Sequence, residues 1–370
     1  MASQTSTSEN GYQARVAKAF DAVHARALRR RAVGLRVTLD VATERYVFLS
    51  DLHRGARNGA DDFRRTERAL NAALAYYNRL DYTLVLVGDV EELWEERPTA
   101  VLKAYPRSYE LEVPFHRAGR YIRIWGNHDD EWQYQTPVHT FLDPVYGPPA
   151  LRVHESLLID VVDGDMPLGS LFVVHGHQGD APNDRWSWLA RLVIRYLWRP
   201  FQRLTGASAN TPATSWDLSH KLNRAIDGWA ARQSGMILIA GHTHRPVFRS
   251  LSHAAQIAEE LARLESVADV PPTPAQLETQ ALLLAKLEWI SASARTASAR
   301  TGSVDDNGYR LAKPGYFNTG CCCYEDGDIT GLEIAGGEIR LIRWPNEAGD
   351  AEPHVLARDS LRDVLVACAA

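Results

Sequence analysis

Tyr46-Val47-Phe48-Leu49-Ser50-Asp51-Leu52-His53 opens with four apolar residues, stops at a serine and delivers an aspartate and a histidine one residue apart. The same event recurs four times. Tyr82 to Val87 runs into Gly88-Asp89, and Tyr121 to Trp125 into Gly126-Asn127-His128-Asp129. Leu171 to Val174 runs into His175-Gly176-His177, and Met236 to Ala240 into Gly241-His242-Thr243-His244. Each run is short, bounded by polar residues and partly β-branched, which predicts buried strands. Residues 61–80, between the first two, have the pattern of a helix, as a βαβ unit requires. In open α/β sheets the ligand site lies beyond the carboxyl ends of the strands. Five ends carrying Asp, Asn and His can therefore converge on one site.

Hard or borderline divalent metals are held by carboxylate oxygen, imidazole nitrogen and amide oxygen, the donor set these ends carry. The order Asp-x-His, Gly-Asp, Gly-Asn-His-Asp, His-Gly-His, Gly-His-Thr-His resembles the calcineurin-like metallophosphoesterase superfamily, over residues 45 to 250 or so. Each fragment alone is a weak signal; five in this order, each ending a strand, are a strong one. The resemblance implies an α/β fold, a four-layer α/β/β/α sandwich, with strands in 316–320 and 329–344 completing it. It also implies a dinuclear centre of two divalent metal ions. On the matching positions Asp51, His53 and His244 would hold one metal, Asn127, His175 and His242 the other, and Asp89 would bridge both. His128 would donate a proton to the leaving oxygen or stabilise the transition state, and Asp129 would orient its imidazole. Two metals about 4 Å apart can share a water, bring its pKa near neutrality and bind phosphate oxygens, while an imidazole protonates the departing alkoxide. The donors suit Mn, Fe, Zn or Co alike.

Neighbouring residues carry open readings. His177 either replaces His175 as a ligand or lines the pocket. Glu91 and Glu92 are outer hydrogen-bond acceptors or the first turn of a helix, the helix being favoured for at least one. Arg54 and Arg57 contact substrate phosphate or sit in a solvated loop. Asn318, in Phe317-Asn318-Thr319-Gly320, resembles a closing element of some family members and fixes a turn near the site in preference to binding metal. Cys321, Cys322 and Cys323 read as core strand in preference to a redox device. With Cys368 they are the four cysteines of the chain, and no spacing suggests a disulfide framework or a CxxC zinc site. A reducing compartment is expected. The first residues lack the apolar centre of a signal peptide, and no run of about 18 apolar residues marks a spanning helix. The expected location is cytoplasmic.

The 370 residues suit one catalytic core with insertions. Hydrophobic residues make up 45%, enough for a sizeable core, and the net charge of −5 does not suggest a nucleic-acid binder. The expected organisation is a polar tail over 1–12 and a basic helix over 13–32, together residues 1–34. A metallophosphoesterase domain over 35–344 follows, then a polar C-terminal tail over 345–370 with room for a short helix. Helical insertions interrupt the domain at about 181–233, with a second helix from about Ser215, and at about 252–301, with a break at Pro271-Pro272-Thr273-Pro274.

Residues 185–204 read RWSWLARLVIRYLWRPFQRL, with Arg191, Arg195, Arg199 and Arg203 four apart. On a helix these form one slowly turning stripe that Pro200 kinks or ends. The stretch is a buried helix, a lid over the metals, or a contact with the inner face of an anionic membrane. The expected function is hydrolysis of phosphomonoesters or phosphodiesters, nucleotide pyrophosphates included. A rival is a UDP-2,3-diacylglucosamine-type lipid pyrophosphatase, which the Ser-Asp-Leu-His opening and a helical insert resemble. The greater length and His128, where that branch usually has Arg, depart from it. The rival of another class is a non-catalytic protein-binding scaffold, which would be expected to lose ligands that are all present here. No GxxxxGK[ST] loop marks an ATPase.

Overall fold

The computed structural model describes residues 2–29, 34–180, 216–252, 313–346 and 352–370, with single positions between 261 and 284. The stretch 185–204 and most of 252–301, its proline break included, lie outside the described residues. The chain begins with α1 (Ala2–Leu28), β1 (Gly34–Asp40) and β2 (Tyr46–Leu49). Then come α2 (Phe63–Arg79), β3 (Thr83–Val87), α3 (Pro98–Ala104), α4 (Pro106–Arg117) and β4 (Tyr121–Ile124). Short helical turns from Asp130 to Tyr146 lead to β5 (Val153–His154), β6 (Ser156–Asp163) and β7 (Met166–Val174). Next are α5 (Trp216–Ala230), β8 (Met236–Ala240), β9 (Pro246–Phe248) and β10 (Leu251–Ser252). β11 (Tyr316–Thr319), β12 (Ile329–Ala335), β13 (Glu338–Trp344), β14 (His354–Ser360) and α6 (Leu361–Ala369) complete the order.

The strands form two mixed sheets, ordered β1-β6-β7-β8-β11-β9-β10 and β14-β13-β12-β2-β3-β4-β5. Alternation along each strand explains why the runs are apolar throughout. Phe48, Val85, Val87 and Ile124 of one sheet pack between the sheets against Ile159, Leu171, Val173 and Ile239 of the other. The residues that alternate with them, Val47, Leu49, Leu84 and Leu86, pack outward against Leu70, Leu74 and Tyr77 of α2 and Tyr109 and Phe115 of α4. On the opposite outer face Phe172, Val174 and Leu238 meet Val16, Phe20 and Val23 of α1 and Leu222, Ile226 and Trp229 of α5. Strands covered on both faces cannot show a polar alternation. The result is the α/β/β/α sandwich. Each fully buried side chain of this size contributes roughly 1.5–3 kcal/mol, and three such layers hold the strand ends in place.

Two termini differ from expectation. α1 begins at Ala2, inside the stretch expected as a disordered tail, and it is anchored by its buried Val16, Phe20, Val23 and Ala27 stripe. The C-terminal stretch is not a tail. β14 pairs antiparallel with β13, and α6 buries Leu361, Val364, Leu365 and Cys368 between the layers. Ser360 caps α6 by accepting from the Asp363 N–H at 3.2 Å. No helix among the described residues is long and apolar enough to cross a membrane.

One buried carboxyl lies away from the strand ends. Asp227, on α5, is 3% exposed, and burial pushes its pKa up to about 7. A folded-state pKa raised above the unfolded value stabilises below pH 4 or so, a benefit lost as pH rises through 7. Asp227→Asn is therefore expected to melt several °C above wild type at pH 8.5 and close to it near pH 5. Equal differences at both pH values would contradict this origin.

Candidate metal centre

The parallel strands β2, β3 and β4 end side by side, with Leu49 opposite Leu86 and Val87 opposite Ile124. In the facing sheet β7 and β8 end together, and β11 lies parallel beside β8. The loops leaving these ends carry left-handed backbone at Asp51 (φ 54°), His53 (48°), Asp89 (52°), His242 (66°) and His244 (55°). For residues with a Cβ this costs roughly 1–3 kcal/mol each and persists where the surroundings hold it. Two glycines give the loops room. A Cβ at Gly126 would lie 2.2 Å from Asp89 Oδ1, and one at Gly88, itself at φ 86°, would lie 2.5 Å from His175 Nδ1.

The side chains meet as two overlapping groups. His244 Nε2 lies 3.2 Å from Asp51 Oδ1 and 3.1 Å from His53 Nε2. His53 Nε2 is 3.9 Å from Asp51 Oδ1 and 3.8 Å from Asp89 Oδ2. The same Asp89 oxygen is 3.0 Å from His175 Nε2. The donor atoms of Asp89, His175 and His242 lie within 4.8 Å of one another, as do those of His53, Asp89 and His128. Asp89 thus stands between the two groups.

The donors fit divalent cations. Asn127 Oδ1 is a buried atom without a hydrogen-bond partner among the described residues, and a bare buried polar atom costs about 1–3 kcal/mol; Asp51 Oδ1 and His175 Nε2 are buried too and face other side chains of the same cluster. His175 Nδ1 donates to the Val87 carbonyl at 2.8 Å, which leaves the Nε2 lone pair for a ligand. The field draws positive charge. Burial raises the Asp51 and Asp89 carboxyls, but the His244 imidazole lowers Asp51 to about 2 and that of His175 takes Asp89 well below the usual range. Burial lowers His175, yet Asp89 and Asp51 lift it to about 9.

The family model of the calcineurin-like phosphoesterases matches residues 44–246, more than half the chain. The chain belongs to this family. No curated protein matches the sequence. Two crystal structures of a cold-active protein tyrosine phosphatase, one of a point mutant, are similar to it at 11% identity. They cover 88% and 87% of this chain and 82% and 80% of theirs, with TM-scores of 0.32 and 0.30, a likeness that carries no argument.

The carboxylate on the His128 imidazole is that of Glu92, not that of Asp129 as expected. Glu92 Oε1 and Oε2 lie 2.9 and 2.7 Å from His128 Nδ1, and Oε2 is 2.9 Å from His53 Nδ1. Asp129 instead holds the loops. Its oxygens accept from the backbone N–H groups of Gly126 (2.6 Å), Val90 (3.0 Å) and Asp89 (3.3 Å). It is fully buried, and Arg123 lies 3.5 Å from its Oδ2. The helix expected at Glu91 and Glu92 is absent, since no helix forms between the end of β3 at Val87 and Pro98. Glu91 pairs with Arg123 and accepts from Tyr109 (2.9 Å) and Trp132 (2.8 Å). The pair of acids two and three residues after Asp89, facing a later His, is the signal that could have picked out Glu92.

Arg54 does not reach toward a phosphate. It is fully buried, paired with Glu112 and packed on the rings of Tyr109 and Phe63 at 4.6 and 5.3 Å. Arg57 binds Glu67 at 2.6 Å and the Ala104 carbonyl at 2.7 Å. His177 is in none of the donor groups found among the described residues; its ring lies 5.4 Å from Trp125. Asn318 fixes a turn, donating to the Gly241 carbonyl at 2.7 Å and accepting from Gly320 at 2.9 Å. Two further residues reach the site unannounced by the sequence. Asp180 Oδ2 is 3.3 Å from His242 Nε2, and its Oδ1 accepts from Tyr12 of α1 at 2.7 Å. Trp94 stacks on His128 at 4.3 Å.

Proposed function

We propose that the protein is a metal-dependent phosphoesterase with a dinuclear centre, hydrolysing phosphomonoesters or phosphodiesters, pyrophosphates included. The observation that carries this is Asp89, one carboxylate oxygen within 4 Å of both His53 and His175, in a buried cluster of carboxylate and imidazole donors. Asp51, His53 and His244 would hold one ion, Asn127, His175 and His242 the other, with Asp89 shared. Ions bound there would offset charge on phosphate oxygens and make a water acidic enough to attack near neutral pH. The chain's own residues supply the rest. His128 is held through Nδ1 by Glu92, stacked on Trp94 and edge-on to His53 at 4.7 Å. Burial lowers its pKa, but Glu92 and Asp89 outweigh that and raise it to about 9. An imidazolium so held is suited to protonate a leaving alkoxide through Nε2. The left-handed loops keep ligand positions fixed before substrate arrives.

The test is a screen of mono-, di- and pyrophosphate esters, a UDP-linked diacylglucosamine among them, with chelator and with added Mn, Zn, Fe or Co. Metal-restored hydrolysis is expected, and His128→Ala should lower it about 10²–10⁴-fold. Equal, negligible turnover by wild type and variant would favour a binding scaffold instead.

A further inference from the structure

The three cysteines after β11 do not continue the strand. β11 ends at Thr319, and Gly320, at φ 78°, turns the chain toward the β2 loop. Cys322 faces the core: its N–H lies 3.1 Å from the Ser50 and Asp51 carbonyls, and its own carbonyl accepts from Thr66 Oγ1 at 2.6 Å. Cys321 and Cys323 face the metal cluster. Their side chains lie close enough to each other and to the His244 imidazole to interact. Cys323 Sγ lies 3.7 Å from His244 Nδ1. Cys323 is half-buried and Cys321 buried.

His244 therefore has Nε2 on Asp51 and His53 and Nδ1 beside the Cys323 sulfur, with Cys321 next to it. A metal-ligating imidazole gives its other N–H to an outer partner, usually a carboxylate or carbonyl, and losing that partner costs ~10–100-fold in metal affinity. Here the partner is oxidisable. We propose that Cys321 and Cys323 form a site of reversible oxidation by hydrogen peroxide, and that their disulfide weakens metal binding at His53 and His244. The inference rests on the metal-dependent function proposed above. Cys323, the member that solvent reaches, attacks one peroxide oxygen; the O–O bond breaks, the Cys323 proton leaves with the other oxygen as water, and a sulfenic acid remains. The Cys321 sulfur then attacks the Cys323 sulfur; the S–O bond breaks, and the hydroxyl leaves with the Cys321 proton as a second water. Two thiols are oxidised to one disulfide and one peroxide is reduced to two waters; a dithiol reverses the change. An S–S bond of about 2.05 Å draws the two sulfurs together and away from His244 Nδ1. Cys322, held between them, transmits the contraction to the Ser50 and Asp51 carbonyls.

Zinc-loaded protein suits the test, because zinc has no redox chemistry of its own. After exposure to hydrogen peroxide and its removal, peptide mapping reads the disulfide and competition with a chromophoric chelator reads zinc affinity. The expected result is a Cys321–Cys323 disulfide, zinc affinity lowered ~10–100-fold at one position, and recovery of both with dithiothreitol. Folded Cys323→Ser should show no peroxide-dependent fall. Absence of that disulfide, a disulfide with unchanged affinity, or an equal fall in Cys323→Ser would overturn the proposal. Reduced protein that binds no zinc would sink the metal-dependent function and this proposal together; zinc binding indifferent to peroxide would sink this proposal alone.

Discussion

Asp89→Asn is expected to lower phosphate-ester hydrolysis at least ~10³-fold, about 4 kcal/mol of transition-state stabilisation, and to reduce bound metal. The substitution keeps size and shape but removes the charge that both groups share. Asp89 Oδ2 faces His175 at 3.0 Å and His53 at 3.8 Å, while Oδ1 accepts the His128 N–H at 2.8 Å. An amide oxygen can keep the backbone bond, so the fold should survive while the cation site fails. Circular dichroism, metal analysis and turnover on one preparation separate these effects. Full turnover by a folded Asp89→Asn protein would remove Asp89 from the centre.

Arg123→Met should unfold the protein in markedly less urea, with a loss of roughly 3–5 kcal/mol. Arg123 is fully buried on β4, paired with Glu91, 3.5 Å from Asp129 Oδ2 and 5.9 Å from the Trp132 ring. Removing the guanidinium strands two buried carboxylates. Asp129 already shows the tension. Burial pushes its pKa up, Arg123 opposes, and the balance stands at about 6. Since Asp129 ties the backbone of residues 89, 90 and 126, the lost charge should also loosen the ligand loops. The double variant with Glu91→Gln should recover part of the loss, because each change removes a partner of the other. Additive losses would mean that the pair is not coupled.

The core fold was legible because each catalytic-type residue ends a run of buried strand. Tyr46–Leu49, Thr83–Val87, Tyr121–Ile124 and Met236–Ala240 are all found where the apolar runs place them. β1 and β6 escaped notice since they deliver no ligand, and β1 is an edge strand with a half-exposed pattern. β14 escaped because an edge strand on β13 needs no continuous apolar run. At the site, residue types and order pointed to the donors that converge, but partner choice depends on three-dimensional reach. Asp129 follows His128 directly, yet its oxygens go to the backbone N–H groups of residues 89, 90 and 126, while Glu92, far away in sequence, meets the imidazole. Arg54 looked available to phosphate, yet the alternation after β2 sends it into the core beside Glu112. The cysteine triplet has strand-like composition, but the chain turns at the left-handed Gly320 after the strand ends, and the three side chains divide between the core and the His-Asp cluster.

The most direct measurement of the account's central claim is an anomalous difference map from crystals grown with Mn²⁺. Two peaks about 3.5–4 Å apart are expected, flanking Asp89, one beside Asp51, His53 and His244 and the other beside Asn127, His175 and His242. A map with no peak there, or with ions bound away from Asp89, would contradict it.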